Sequence, residues 1–196
     1  MATMLLMGTN AWAVTRTVSE ADQLAPAFMA AQNGDVIKLT TGLSVGDQLV
    51  LNLENGGKVV LDLTDGDLAM ECAFATDNAA ILVKKGTLEI IGGEISVAAG
   101  AQHVYDLVRV IGDYNTGIDA AVETPYSQVI VAAGAKITSE GFKNALTICE
   151  NATKVGGLSY ANGARIDVYG DVVGEKYGIK VNGSIFLIVP DADAIL

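Results

Sequence analysis

Asp62, Asp65 and Asp67 put three carboxylates into six residues. Hard oxygen donors at such spacing suit calcium, which takes six to eight oxygen ligands. An acidic run beside Gly66 is more simply a solvated turn, and that is the expectation adopted. Arg109 and Arg165 lie in strand-like patterns, where outward salt bridging is the simpler role. Asp167 and Asp171 supply a carboxylate pair for glycoside hydrolysis only if both face one groove. His103 is the only histidine. A Ser-His-Asp arrangement would need it oriented on both sides, and it is read as a loop residue.

Cys72 and Cys149 are too few for a disulfide framework, and no His/Cys spacing of a metal site surrounds them. They are read as small residues at buried or corner positions, with one bridge left open if they stack on neighbouring turns. Gly92-Gly93 and Gly156-Gly157 read as chain corners, not phosphate cradles, since no P-loop pattern encloses them. Asn151-Ala-Thr153 and Asn182-Gly-Ser184 match the N-glycosylation pattern, which matters only in an exported chain. Aromatic residues make up 6%, so Tyr105, Tyr114, Tyr126, Tyr160, Tyr169 and Tyr177 form at most a sparse sugar-stacking platform. The expectation is a chain with no catalytic residue, no cofactor and no metal.

The elements that must position these side chains are short strands. A pattern of apolar strand, glycine corner and apolar strand recurs from Val36 to Val189. Its clearest instances are Lys58–Leu63, Ala80–Val83, Thr87–Ile91, Gln128–Val131, Ala164–Val168 and Tyr177–Val181, with Leu49–Leu53 before the Asn55-Gly-Gly57 turn. Such repetition predicts a coiled ribbon of stacked strands. The segments opening at Thr87, Gln128 and Arg165 follow one scheme about 40 residues apart, read as two coils of about 20 residues each. About seven coils at about 4.8 Å would make a rod of about 35 Å. Projecting loops are expected at Ala69–Asn78, Ala98–Tyr105, Asn115–Tyr126 and Glu150–Gly163. Val18–Gly34 is the one convincing helix, with its body over about 19–33. Ser19 is its expected N-cap, Asn33-Gly34 its stop, and Pro26 is expected to bend or shorten it.

With 196 residues, 51% hydrophobic and 18% charged, the chain is long and apolar enough for one continuous core. Its 22 Gly against 3 Pro suit tight turns. A net charge of −11 repels nucleic-acid phosphates and anionic lipid, so neither is an expected partner. Mean hydropathy is +0.39, yet no run approaches the roughly 18 apolar residues of a spanning helix. Residues 1–16 read as an anchoring segment, with Met4, Leu5, Leu6, Met7, Trp12 and Val14 as its docking side chains, and residues 17–196 as a single β domain. Ala11-Trp-Ala13 imitates a signal-peptide cleavage site without a basic n-region, so docking is preferred to cleavage. Ser184–Pro190 is read as a final coil or a contact surface, the coil being favoured.

Thr17–Ala25 followed by Ala30–Leu39, in which a capping helix ends in Gly34-Asp35 and runs into the first strand, resembles the opening of the pectin-lyase-like right-handed parallel β-helix group. Lys58-Val-Val-Leu-Asp-Leu63 is similar to the Leu-Asp-Leu-Asn-Gly segment of its surface and phage members, with Thr64-Asp65-Gly66 in place of Asn-Gly. The resemblance covers the chain from about residue 15. It implies an all-β fold: a right-handed parallel β-helix (solenoid) with an N-terminal capping α-helix. The group includes lyases, hydrolases, adhesins and phage fibres, so activity does not follow from it. The expectation is a non-enzymatic structural protein of a bacteriophage virion, a capsid decoration or a head or tail fibre. Its partners would be capsid or other virion proteins, and it would form a homotrimer. The alternatives are a bacterial surface or secreted glycan-binding module at the cell exterior and, less favoured, a calcium-dependent polysaccharide lyase.

Overall fold

In the computed structural model the described residues are 13–53, 56–71, 79–99, 101, 106–111, 127–140, 144–149, 154–155, 158–159 and 164–181. They are mostly strand, with one helix. The chain runs through β1 (Thr15–Val18), α1 (Ala21–Met29), β2 (Val36–Leu39), β3 (Leu43–Val45), β4 (Leu49–Asn52), β5 (Lys58–Asp62) and β6 (Leu68–Met70). There follow β7 (Ala79–Ile91), β8 (Glu94–Val97), β9 (Asp106–Ile111), β10 (Ser127–Val131), β11 (Lys136–Ser139) and β12 (Asn144–Cys149). The last are β13 (Lys154–Val155), β14 (Leu158–Ser159), β15 (Ala164–Val168), β16 (Asp171–Gly174) and β17 (Tyr177–Val181).

Among the described residues all pairing is parallel except the short antiparallel pair β13–β14, which lies where a loop is expected. Three ladders result. The first joins β1, β2, β5, the second half of β7, β10 and β15. The second joins β3, β6, β8, β11 and β16. The third joins β4, the first half of β7, β9, β12 and β17. From β2 onward the chain visits the ladders in that cyclic order. Because β7 serves two of them, ten strands share one hydrogen-bonded sheet and five form another.

Register explains the apolar pattern. Ile37, Leu61, Ile90, Val131 and Val168 stand in one column, and Leu68, Ile95, Ile137 and Val172 in a second. Leu49, Ile81, Val108, Leu146 and Ile179 form a third. These columns belong to a single aliphatic cluster. Each fully buried Leu, Ile or Val in it contributes about 1.5–3 kcal/mol relative to exposure.

The spacing of the repeat differs from expectation. Thr87, Gln128 and Arg165 are direct neighbours in the first ladder, so about 40 residues make one circuit there, not two. The column Val36, Val60, Glu89, Ile130 and Asp167 advances by 24, 29, 41 and 37 residues. The first ladder accordingly has six strands and the others five each among the described residues, instead of about seven coils. Ala69 and Met70, expected in a loop, lie in β6, because Leu68 and Met70 fill interior places beside Ile95 and Val97.

The passage from first to second ladder stays short in every layer and is where glycine is required. A Cβ on Gly66 would meet the Thr41 carbonyl at 2.1 Å, and one on Gly170 would meet the Ala135 oxygen at 2.2 Å. Successive corners therefore nest backbone on backbone.

The helix is shorter than the expected 19–33 and is capped one residue later. Glu20, extended at φ −132° and ψ 144°, forms a capping box with Gln23, whose Oε1 accepts the Ser19 and Glu20 amides at 3.2 and 3.3 Å. Pro26 lies inside the helix, which ends three residues later at Met29, and the Ala30 amide bonds the Pro26 carbonyl at 3.0 Å. Leu24 and Phe28 are buried, and α1 lies against β1, β3 and β4. No helix among the described residues is long and apolar enough to cross a membrane.

Candidate functional site

The acidic run is bound up with its own surroundings. Lys38 Nζ lies 2.8 Å from Asp65 and 4.0 Å from Asp62. Asp62 Oδ1 accepts the Thr64 amide at 2.9 Å, and Asp67 Oδ1 accepts the Glu94 amide at 2.7 Å. Burial acts to raise the Asp62 pKa, but the Thr64 hydroxyl and amide and the Lys38 charge hold it below the ordinary value. The hydrogen bond that Lys38 donates to Asp65, with the Asp65 charge, raises Lys38 above the usual lysine value. These carboxylates fasten two turns and one lysine. No group of three or more His, Cys, Asp or Glu side chains able to hold a metal is found among the described residues.

The paired carboxylates are separated by the fold. Asp167 on β15 is buried, accepting from Arg165 Nε at 2.8 Å and Gln128 Nε2 at 2.5 Å. Gln128 in turn accepts from the Thr87 hydroxyl at 3.2 Å, tying three neighbouring strands. Asp171 stands exposed on β16, in the second ladder. Asp167 is thus engaged as an ion-pair and amide acceptor.

Arg165 is half-buried, its side chain 40% exposed, in keeping with an outward salt bridge. Arg109 departs from that expectation. Its side chain is 14% exposed and binds Asp106 Oδ2 through Nε at 2.7 Å, and Asp106 is itself buried. Asp106 Oδ1 accepts from Asn144 Nδ2, so a buried Asp–Arg–Asn group joins β9 to β12. The Thr147 hydroxyl, in register with Arg109, and Asn144 Oδ1 are buried without a hydrogen-bond partner.

Two polar centres escape the sequence reading. Asp35, after the helix stop, is 2% exposed and accepts the Val14 amide at 2.9 Å, the Gln32 amide at 3.0 Å and Arg16 Nη2 at 3.2 Å. Burial works to raise its pKa, and those three donors outweigh it, holding the carboxyl below its ordinary range. It clamps β1, the end of α1 and β2 together. The signal was Gly34-Asp35 itself, noticed as a family pattern and not as a buried charge. Gly42-Leu-Ser-Val-Gly46 spells the Gly-x-Ser-x-Gly pattern of a nucleophile elbow. Ser44 sits in mid-strand on β3, not on the strand-to-helix turn that the elbow needs, and donates to Glu71 Oε1 at 2.5 Å.

Of the expected docking side chains, Val14 is 47% exposed beside β1. Met4, Leu5, Leu6, Met7 and Trp12 lie outside the described residues, as do His103, Cys72, both sequons apart from their neighbours, and Tyr105, Tyr114, Tyr126 and Tyr160. Cys149 ends β12. Tyr169 and Tyr177 are exposed at 52% and 45%, and Lys176 Nζ lies 5.3 Å from the Tyr177 ring centroid. No protein-family model, curated protein or solved structure matches the chain.

Proposed function

We propose that the chain winds as a right-handed parallel β-helix capped at its N-terminal end by α1, like the pectin-lyase-like group it resembles. In this reading it serves as a non-enzymatic structural component of a bacteriophage virion. The observation that carries the reading is the cyclic parallel pairing with in-register aliphatic columns. A parallel crossover is right-handed in about 98% of cases, which favours that hand. Columns of this kind supply stiffness without a cleft. Of the calcium candidates Asp62 and Asp65 are held by Lys38, and of the hydrolase pair Asp167 is held by Arg165 and Gln128. Function then resides in shape: an acidic projection anchored through residues 1–16 to capsid proteins or to two further copies.

Native mass spectrometry together with imaging of particles carrying the protein tests this reading. A trimer whose density stands on the particle surface is the expected result. A monomer that stays off particles and yields unsaturated products from a uronate polymer with calcium would end it. A second reading, a cell-surface glycan-binding module, is favoured by the exposed Tyr169 and Tyr177 with Lys176 over the latter ring. Loss of oligosaccharide binding in Tyr177→Ala would support that one.

A further inference from the structure

We propose that Asn33-Gly34 is a latent site of self-modification: the asparagine side chain closes onto the next amide, and the fold withholds that reaction by seating both reacting groups on Lys58. The site opens when the turn between α1 and β2 parts from the start of β5. This chemistry is independent of the virion reading.

Asparagine before glycine suits ring closure, because glycine puts no Cβ in the way of the attacking nitrogen. The Gly34 nitrogen, on losing its proton, attacks Asn33 Cγ. A Cγ–N bond forms and the Cγ–Nδ2 bond breaks. Ammonia leaves, carrying by way of solvent the proton that Gly34 gave up. The cyclic imide then takes up one water and opens to aspartate or to isoaspartate. In isoaspartate the main chain runs through Cβ and Cγ.

The fold presents the pair and restrains it. Asn33 and Gly34 are the middle residues of a turn that the Asp35 amide closes onto the Gln32 carbonyl at 3.0 Å, and Gly34 has φ +91°. Both residues are exposed, so water and base reach them. The Gly34 amide donates to the Lys58 carbonyl at 2.7 Å, which keeps the proton on the nucleophile. Asn33 Oδ1 accepts the Lys58 amide at 2.9 Å. That bond polarises Cγ and leaves it reactive, yet it ties the carboxamide to β5. Ring closure therefore has to break two hydrogen bonds to one residue. Gly57 makes the seat. A Cβ there would meet Asn33 Cγ and Oδ1 at 2.5 Å, and its φ of +107° suits glycine. The Gly57 carbonyl accepts the Thr87 amide at 2.7 Å, which fastens the seat to β7.

The contact is made by the first residue of β5, so it can part without the ladders separating. What the reaction undoes lies two residues on. Isoaspartate at position 33 lengthens the main chain just before buried Asp35, whose carboxylate holds the Val14 and Gln32 amides and Arg16. Each ring closure thus loosens the N-terminal cap irreversibly.

The full chain, aged in mildly alkaline buffer over a series of urea concentrations, tests this. Isoaspartate at position 33 is counted by peptide mass mapping. Modification of the folded chain follows the population of the opened contact, so its rate should lie about tenfold or more below that of the unfolded chain. Below the unfolding transition the rate should stay nearly flat in urea, because a local opening exposes little surface. Gly57→Ala, if it folds, should raise the rate in buffer about fivefold or more, since its new methyl group displaces the Asn33 side chain. Equal rates in the folded and unfolded chain would overturn the proposal, as would the absence of isoaspartate at position 33 in both. A folded-state rate that climbs with the full slope of global unfolding would overturn the local opening. A folded Gly57→Ala chain that ages no faster would remove the seat on β5.

Discussion

The second and third ladders are built from strands of the same alternating register, yet they bury themselves differently. In β8 and β11 the pattern is one-sided: Ile95 and Ile137 are buried, while Ser96 and Thr138 between strand neighbours are half-buried. In the first half of β7, in β9 and in β12, successive residues are buried alike. Ile81 and Leu82, Leu107 and Val108, and Ala145 and Leu146 are all 0% exposed. Leu82 stands outside the aliphatic cluster although it is fully buried, in register with Val50 and Arg109. A sheet with one wet face screens its ion pairs, whereas one buried on both faces does not. The Glu94–Lys136 pair at 3.2 Å thus differs in kind from Asp106–Arg109, though both link a carboxylate to a cation.

Four measurements sharpen or break this contrast. Arg109→Ala should cost the most, about 4 kcal/mol in urea unfolding, because the buried Asp106 loses its ion-pair partner. A cost below about 1 kcal/mol would mean that the third ladder is as well solvated as the second. Leu82→Ala should follow at about 3 kcal/mol, the loss of a fully buried leucine with partial collapse of the site.

Acid should act next, through the first two ladders. Asp35, Asp62 and Glu94 all have folded pKa values below their ordinary 3.8, 3.8 and 4.5. For Glu94 the Thr138 hydroxyl is the leading cause, ahead of the opposing effect of burial and the help of Lys136. A depressed carboxyl stabilises the fold above its unfolded pKa, and that stability is lost as pH falls through the folded value. Thermal melting should therefore be level above about pH 5 and fall steadily below about pH 4. Asp35→Asn should shallow the acid limb while lowering the plateau; an unchanged slope would remove Asp35 from the account. The smallest effect belongs to Lys136→Ala, about 0.5 kcal/mol and further reduced by salt.

The same contrast explains what could be read in advance. β5 and β10 of the first ladder alternate, and Lys58–Asp62, Gln128–Val131 and Ala164–Val168 stand where the pattern puts them. In the third ladder Ala79-Ala-Ile-Leu-Val83 is a continuous apolar run, which marks a strand but not which face is inward. Gly86 reads as a break between two strands, and β7 passes through it unbroken because glycine accepts the positive φ there. The helix was legible from its Leu24–Phe28 stripe. Its cap was not, because Gln23 reaches back to Glu20 and outcompetes the better intrinsic cap, Ser19. Arg109 illustrates the limit most sharply: strand context predicted a salt bridge, and only the burial of Asp106 reveals its environment. Asp35 was legible as a residue after a helix stop, while its three donors come from Val14, Arg16 and Gln32, brought together by folding.

The unequal circuits have a practical consequence. Partners in the first ladder keep their register whether the chain between them takes 24 residues or 41. The scaffold thus tolerates added length between Ile111 and Ser127, but not at Gly66 or Gly170, where a single methyl group has no room. A foreign epitope or receptor-binding peptide is best grafted into the former span, leaving the tight corners as the hinge-free frame that presents it.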